Sequence, residues 1–339
     1  MLLSPMQSDD CAGLLPDSLA DGVLVELGPA GSDLACFDGG SDDGPAMSPS
    51  AGRNGRGRGG ELQVFDSAGQ PLREFSGPNL SVFSQPSGFT ALSRSSTDGA
   101  KLAYYAYDGT MTVLQYLDGN PLDPVVAAPD PSGGTLVLRA FQSGSWIVSA
   151  RRYSATGNPG NEVWVSGVAG KPALLGAVDL AGNALALWFD GESTRGSWLD
   201  PSGANRTQLS PSNSYYSAAQ FLYGSGLALR SAPPHSAPGL WESHLYDSHR
   251  TLSPLPAWLQ DRPSARFAAI RHGAGYAAWD LSLPGQVEII SARGNSCGSF
   301  TTPNASGPYS VGRDGTLISH GDSVKGISCG FRYWPQLLQ

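Results

Sequence analysis

The chain has 339 residues, 40% of them apolar, which is enough to bury a large core and excludes global disorder. Its net charge of −8 is the wrong sign for a surface that grips phosphates, so no nucleic-acid partner is expected. The 44 Gly and 26 Pro are scattered at short intervals, as in a fold of many short strands joined by tight turns.

The chain opens with an extension over residues 1–20 that carries Cys11. Met1-Leu2-Leu3-Ser4-Pro5 is too short for the apolar region of a signal peptide. The sequence has no apolar run long enough for a transmembrane helix, so membrane contact is expected only through a lipid. Cys11 is a candidate for that lipid, although Ser8-Asp9-Asp10 before it makes a poor acylation signal. A strand is predicted at 22–28 from Val23-Leu24-Val25-Glu26-Leu27. After it come the acidic stretch Asp38-Gly39-Gly40-Ser41-Asp42-Asp43-Gly44 and the basic stretch Arg53 to Gly60, both read as solvated loops.

From there β-rich runs recur with a turn after each. They are Glu61–Phe65 with Pro71–Phe75, then Met111–Leu117, Glu162–Val165, Arg195–Leu199, Leu240–Tyr246 and Gln286–Ile290. Turns fall near residues 69, 119, 170, 203, 249 and 294, spaced 33 to 51 residues apart, close to the length of one propeller blade. The short spacing before 203 suggests a compact fourth blade. A second set of tight turns, Asp98-Gly99, Gly182-Asn183 and Asp314-Gly315, predicts two hairpins per repeat. The expected fold is therefore all-β, a β-propeller of about seven four-stranded blades forming one domain over 21–339. Its blades are placed at 33–77, 89–128, 133–175, 176–210, 215–258, 264–303 and 308–336. The last, from Tyr309 to Trp334, holds three strands, and the strand at 22–28 is expected to complete it and close the ring.

Cys11, Cys36, Cys297 and Cys329 lack metal-site spacing, and their even number suggests two disulfides in an oxidising compartment. Three pairings are possible. The favoured one joins Cys11 to Cys36 and Cys297 to Cys329, which would staple the seam of the ring. Because disulfides imply export, the protein is expected in the periplasm, at the cell surface or secreted, with a leader missing from this sequence.

Two stretches carry a family likeness: Ser96-Thr97-Asp98-Gly99-Ala100-Lys101-Leu102-Ala103, and Asn161-Glu162-Val163-Trp164-Val165 on to Gly170. An S-x-D-G turn before one strand and a Trp-bearing strand before a later turn resemble the repeats of TolB-like and WD-repeat-like propellers. The whole is also similar to uncharacterised extracytoplasmic propeller (lipo)proteins of GC-rich, myxobacteria-like organisms. His249 stands where the turn glycine belongs in one repeat. The resemblance therefore implies fold and compartment, and it transfers no site residues.

Candidate chemistry is sparse. Gly294-Asn295-Ser296-Cys297-Gly298 matches the G-x-S-x-G elbow, but a hairpin tip with no following helix is the wrong setting. His235, His244 and His249 share one repeat, yet positions 244 and 249 point to opposite faces of a strand. The acidic loop lacks glycine at the sixth EF-hand position. Asp190 and Glu192 are a carboxylate pair at i, i+2, too common a pattern to assign. The eight Trp are expected mainly between sheets. No catalytic residue, metal or cofactor is expected. The favoured function is a non-catalytic scaffold, monomeric, holding a protein or glycan partner at the envelope. The alternatives are a propeller-fold carbohydrate-active hydrolase or lyase, and a structural subunit of an envelope complex.

Overall fold

The computed structural model describes residues 9–19, 22–29, 60–65, 71–77, 81–85, 88–95, 99–106, 110–117, 120, 123–168, 170–203, 206–224, 226–231, 239–246, 252–270, 274–280, 282–303, 305, 309–311, 315–324 and 328–338. Strand β1 (Val23–Pro29) comes first, then a hairpin of β2 (Gly60–Phe65) and β3 (Pro71–Gly77), here sheet I. Sheet II holds β4 (Ser81–Gln85), β5 (Gly88–Ser95), β6 (Gly99–Ala106) and β7 (Met111–Leu117). Sheet III holds β8 (Val125–Pro129), β9 (Thr135–Ser143), β10 (Ser145–Tyr153) and β11 (Pro159–Val168). Sheet IV holds β12 (Ala173–Val178), β13 (Ala184–Phe189), β14 (Thr194–Leu199) and β15 (Arg206–Gln208).

Sheet V has three described strands, β16 (Tyr216–Leu222), β17 (Gly226–Ser231) and β18 (Leu240–Tyr246), followed by the short helix α1 (Ala257–Gln260). Sheet VI holds β19 (Arg266–Ala269), β20 (Gly275–Trp279), β21 (Gln286–Ser291) and β22 (Ser296–Thr301). Sheet VII holds β23 (Tyr309–Val311), β24 (Leu317–Val324) and β25 (Ser328–Trp334), and β1 supplies its fourth strand, with Val23 opposite Tyr333 and Val25 opposite Phe331. The protein is thus all-β, built of antiparallel sheets that are mostly four-stranded. Its N-terminal strand completes the sheet formed by its C-terminal residues.

Sheets II to VII begin at residues 81, 125, 173, 216, 266 and 309, a regular spacing of 43 to 50. The compact fourth repeat is a correction. The turn near 170 follows a fourth strand, β11, and the turn near 203 follows a third strand, β14, so the short spacing compares unlike positions. Sheet IV has its full four strands.

From sheet II to sheet VII consecutive sheets pack face to face, and the alternation of side chains gives sheets III to VI an apolar layer on both sides. Leu92, Leu102 and Tyr104 of sheet II meet Val137 and Tyr153 of sheet III. Leu136, Leu138 and Val148 of sheet III meet Ala184, Ala186 and Trp188 of sheet IV. Leu185, Leu187 and Trp198 meet Leu227, Leu229 and Leu245 of sheet V. Trp241 meets Phe267 and Tyr276 of sheet VI, with Trp258 of α1 stacked on Tyr276 at 4.9 Å between centroids. The expectation that Trp fills the inter-sheet layers holds for Trp188, Trp198, Trp241, Trp258, Trp279 and Trp334, all buried. Trp146 is partly buried against the layer between sheets III and IV, and Trp164 is the exception, at 52% exposed.

One turn recurs. Asp130, Ser154, Asp179 and Ser291 each accept a hydrogen bond from the glycine three residues on (Gly133, Gly157, Gly182, Gly294). Each also donates its own N–H to the carbonyl of the residue after that glycine. All four glycines have positive φ, between 77° and 110°, which closes a three-residue hairpin with a bulge. Arg152 ties two such turns across sheets, donating to Asp130 Oδ2 at 2.8 Å and to the Gly182 carbonyl.

The favoured cysteine pairing is corrected. Cys11 is bonded to Cys297, 286 residues away in sequence. Cys36 lies outside the described residues, and Cys329 stands in β25 opposite Gly28 of β1. The chemistry at Cys11 explains the choice. Asp9–Cys11 forms a 3-10 turn against sheet VI, where Asp10 Oδ2 accepts from Ser291 Oγ at 2.6 Å and Asn295 Nδ2 at 2.9 Å. Gly298 has no side chain to obstruct Leu15: a Cβ there would sit 2.9 Å from Leu15 Cδ1. Cys11 and Leu14 then join Trp279, Tyr309, Leu317 and Trp334 in the layer between sheets VI and VII. A sulfur held in this bond is not available for acylation.

Candidate functional site

The residues singled out from sequence do not assemble into a site. Ser296 of the G-x-S-x-G stretch opens β22 and donates to Glu288 Oε1 at 2.6 Å, while Cys297 is spent in the disulfide. His244 is buried in β18, and His235 and His249 lie outside the described residues. So do Asp38–Gly44 and residues 53–59. Asp190 Oδ1 accepts the backbone N–H groups of Glu192 at 3.0 Å and Ser193 at 2.9 Å, which makes it a turn former. Those backbone bonds hold its carboxyl below the usual range. Among the described residues no group of three or more His, Cys, Asp or Glu could hold a metal ion.

A different set converges on the face of sheet III that looks toward sheet II. In a strand, i and i+2 share a face. Arg139 and Phe141 of β9, Ser149 and Arg151 of β10, and Glu162 and Trp164 of β11 therefore project the same way. The register aligns them: Arg139 and Trp164 both lie opposite Ser149, and Glu162 lies opposite Arg151. The intervening residues, among them Leu138, Val148, Ala150 and Val165, turn to the other face and form the apolar layer with sheet IV.

Glu162 is the centre of the cluster. Its Oε1 accepts from Arg139 Nε at 2.8 Å, Arg139 Nη2 at 2.7 Å and Ser149 Oγ at 2.8 Å, and its Oε2 faces Arg151 Nη2 at 3.3 Å. Burial alone would raise its carboxyl, but the Ser149 and Arg139 hydrogen bonds and the charges of Arg139 and Arg151 outweigh it. The net effect holds Glu162 below the ordinary carboxylate range, so it stays ionised at neutral pH.

Opposite the cluster, Tyr116 and Leu117 of β7 form the second wall of a crevice whose lining also includes Val137, Arg139, Ser149, Arg151, Tyr153 and Glu162. The depression continues past Leu117 and Arg139 to Arg94, Asn120, Asp123 and Phe141. Tyr116 lines the crevice from sheet II, and Phe141 lines its continuation from sheet III. Tyr116 is 63% exposed with Lys101 Nζ 5.3 Å from its centroid. Trp164 stands edge to face with Phe141 at 5.3 Å, and the Arg139 guanidinium lies over Phe141 at 5.4 Å. Rings on two walls, Tyr116 and Phe141, with a fixed charge cluster between them can contact flat ligand faces and orient polar groups.

No family model matches the sequence, and no curated protein matches it. Solved structures resemble the fold. A prolyl endopeptidase aligns at 11% identity and TM-score 0.43, over 78% of this chain and 45% of its own, so this chain spans less than half of that enzyme. An apocarotenoid oxygenase from Synechocystis aligns at 9% identity and TM-score 0.44, over 72% of this chain and 69% of its own. A protein of unknown function from Bacteroides caccae aligns at 14% identity and TM-score 0.45, over 75% and 92%. The likeness is one of fold. These comparisons do not support the expectation of a non-catalytic scaffold: the first two structures are enzymes, a prolyl endopeptidase and an apocarotenoid oxygenase. Neither reaction transfers to this chain.

Proposed function

We propose that the protein is a seven-bladed propeller closed by β1, and a carbohydrate-active enzyme, hydrolase or lyase, that acts on a glycan lying in the crevice between sheets II and III. Seven sheets in sequence order support the blade count, together with the N-terminal strand seated in the sheet of the C-terminal residues. One observation carries the functional reading: exposed Tyr116 lines a crevice with an ionised carboxylate held between two arginines, and exposed Trp164 stands on the same face of sheet III against Phe141. Pyranose rings present apolar faces that stack on such rings, and their hydroxyls suit the fixed charges. Glu162 is ionised and already holds three partners, so its role is a charged anchor rather than a proton donor. We place the protein outside the cytoplasm, an assignment supported by the Cys11–Cys297 bond. Among the described residues no helix is long and apolar enough to cross a membrane.

The test is a cleavage screen with neutral and acidic polysaccharides, following new reducing ends for hydrolysis and ultraviolet absorbance of an unsaturated sugar for elimination. We expect cleavage by the intact protein and its loss in Tyr116→Ala and Trp164→Ala, both still folded. Cleavage that survives both substitutions would place the site elsewhere, and no cleavage of any polymer would overturn the enzyme reading.

A further inference from the structure

We infer that the crevice holds sugars in file rather than singly, with a second subsite at Phe141 and Asp123, so that the substrate is a chain gripped over at least two rings. The inference rests on the crevice being the glycan site and adds the length of chain it reads.

The trough is longer than one ring. Its two depressions share Leu117 of sheet II and Arg139 of sheet III, so they are continuous. Across sheet III the lining passes from Glu162 on β11 through Arg151 on β10 and Arg139 on β9 to Val125 at the start of β8, with Asp123 just ahead of it. The register keeps this path on one face: Val125 and Ser149 both lie opposite Arg139, and Glu162 lies opposite Arg151. Neighbouring strands are about 4.8 Å apart, so the three steps from β11 to β8 cover about 14 Å, more than a single pyranose occupies.

Each end of the trough has its own groups. At the β11 end stand Glu162 and Arg151, the latter with its side chain 32% exposed. At the β8 end stand Phe141 and Asp123. Phe141 is fixed before a ligand arrives: Trp164 meets it edge to face at 5.3 Å, and the Arg139 guanidinium lies 5.4 Å from its centroid. A ring already held loses little freedom when a sugar face packs on it. Asp123 Oδ2 accepts the Asn120 N–H at 3.3 Å, and a carboxylate keeps lone pairs for further donors such as sugar hydroxyls. Every sugar in a chain carries hydroxyls around its rim, so a bound chain needs polar groups spaced along its path. A polar set at each end of a trough this long fits that need. A lone sugar seated against Glu162 would not reach Phe141 or Asp123.

Titration calorimetry with two ladders of probes, cello-oligosaccharides and oligogalacturonates, each from dimer to hexamer, reads the length of chain held. Thermal melts check the fold of every variant. We expect affinity within the ladder that binds to rise about tenfold from dimer to tetramer. Phe141→Ala should cut that gain to about threefold or less. Asp123→Asn, which keeps the size of the side chain and an acceptor for the Asn120 N–H, should cut it by a smaller factor. A dimer bound as tightly as a hexamer overturns the inference. So does a length gain that both variants keep in full, or binding of neither ladder at any length. Cleavage of a polymer in the screen with no length gain sinks the second subsite and spares the enzyme reading. A length gain that depends on Phe141, with no polymer cleaved, does the reverse.

Discussion

Two gaps between neighbouring sheets have been treated in opposite ways. Between sheets VI and VII the space is filled: Cys11 and Leu14 enter it beside Trp279, Tyr309 and Trp334, and the disulfide to Cys297 locks them there. Between sheets II and III the floor is apolar, with Leu102, Tyr104 and Val137, but the rim is charged and aromatic and its rings face solvent. The first gap lies next to the sheet where the two chain ends meet, the place where such a stack opens most easily. The second lies between two sheets that are each built from one unbroken run of strands, β4 to β7 and β8 to β11. Sealing is spent where topology is weak, and polar, exposed groups stand where topology is strong. That contrast is the physical reason to look for function at sheets II and III.

The largest expected effect breaks the sealed side. Cys297→Ser, or reduction of the intact protein, should lower unfolding stability by about 3–5 kcal/mol, because the crosslink closes a very long loop. Urea melts with and without reductant measure it. If reductant leaves the midpoint unmoved, the seam does not depend on the bond.

A smaller effect sharpens the open side. Glu162→Gln removes the carboxylate charge that Arg139 and Arg151 share, at a cost of about 1–3 kcal/mol. Linkage fixes the sign. The folded carboxyl titrates below its usual value of 4.5, so its contribution is complete above that value and is lost as pH falls through the lower folded value. Stability measured from pH 6 down to pH 3 should therefore decline less steeply in the variant than in the intact protein. Parallel curves would show that Glu162 is not a source of the acid sensitivity.

Trp164→Ala and Tyr116→Ala come next, each changing stability by about 0.5–1 kcal/mol or less, since their rings are mostly solvent-facing. A loss as large as that expected for a buried Trp, about 3–5 kcal/mol, would mean that the rim is structural. Smallest is Arg195→Ala, whose side chain is 53% exposed and lies 3.4 Å from Asp190; thermal melts should place it within about 0.5 kcal/mol of the intact protein.

Much of the architecture was legible in the residues. Every β-rich run read from the sequence falls on a strand, and the strand at 22–28 does seat itself beside β25, because an apolar run bounded by Gly22 and Gly28 needs a sheet edge to pair with. Repeat position was harder to read. A third strand such as β14 and a fourth such as β11 both end in a Gly turn, so turn spacing alone confuses them. Disulfide partners were out of reach because they depend on where residues 9–19 dock, and that depends on a bare Gly298 and on Ser291 beside Asp10.

The candidate site was invisible for a related reason. Its signal is three i, i+2 pairs, Arg139/Phe141, Ser149/Arg151 and Glu162/Trp164, on strands up to 23 residues apart. Each pair alone looks like ordinary strand alternation. Only the register, with Ser149 opposite both Arg139 and Trp164, makes them one surface.

The contrast between the two gaps is tested most directly by backbone hydrogen exchange with and without a saturating glycan found in the cleavage screen. The account predicts slowed exchange across β7, β9 and β11, in residues 111–117, 137–141 and 162–165, with residues 9–19 and 296–301 unchanged. Slowing confined to the sheet VI–VII gap, or spread evenly over the molecule, would contradict it.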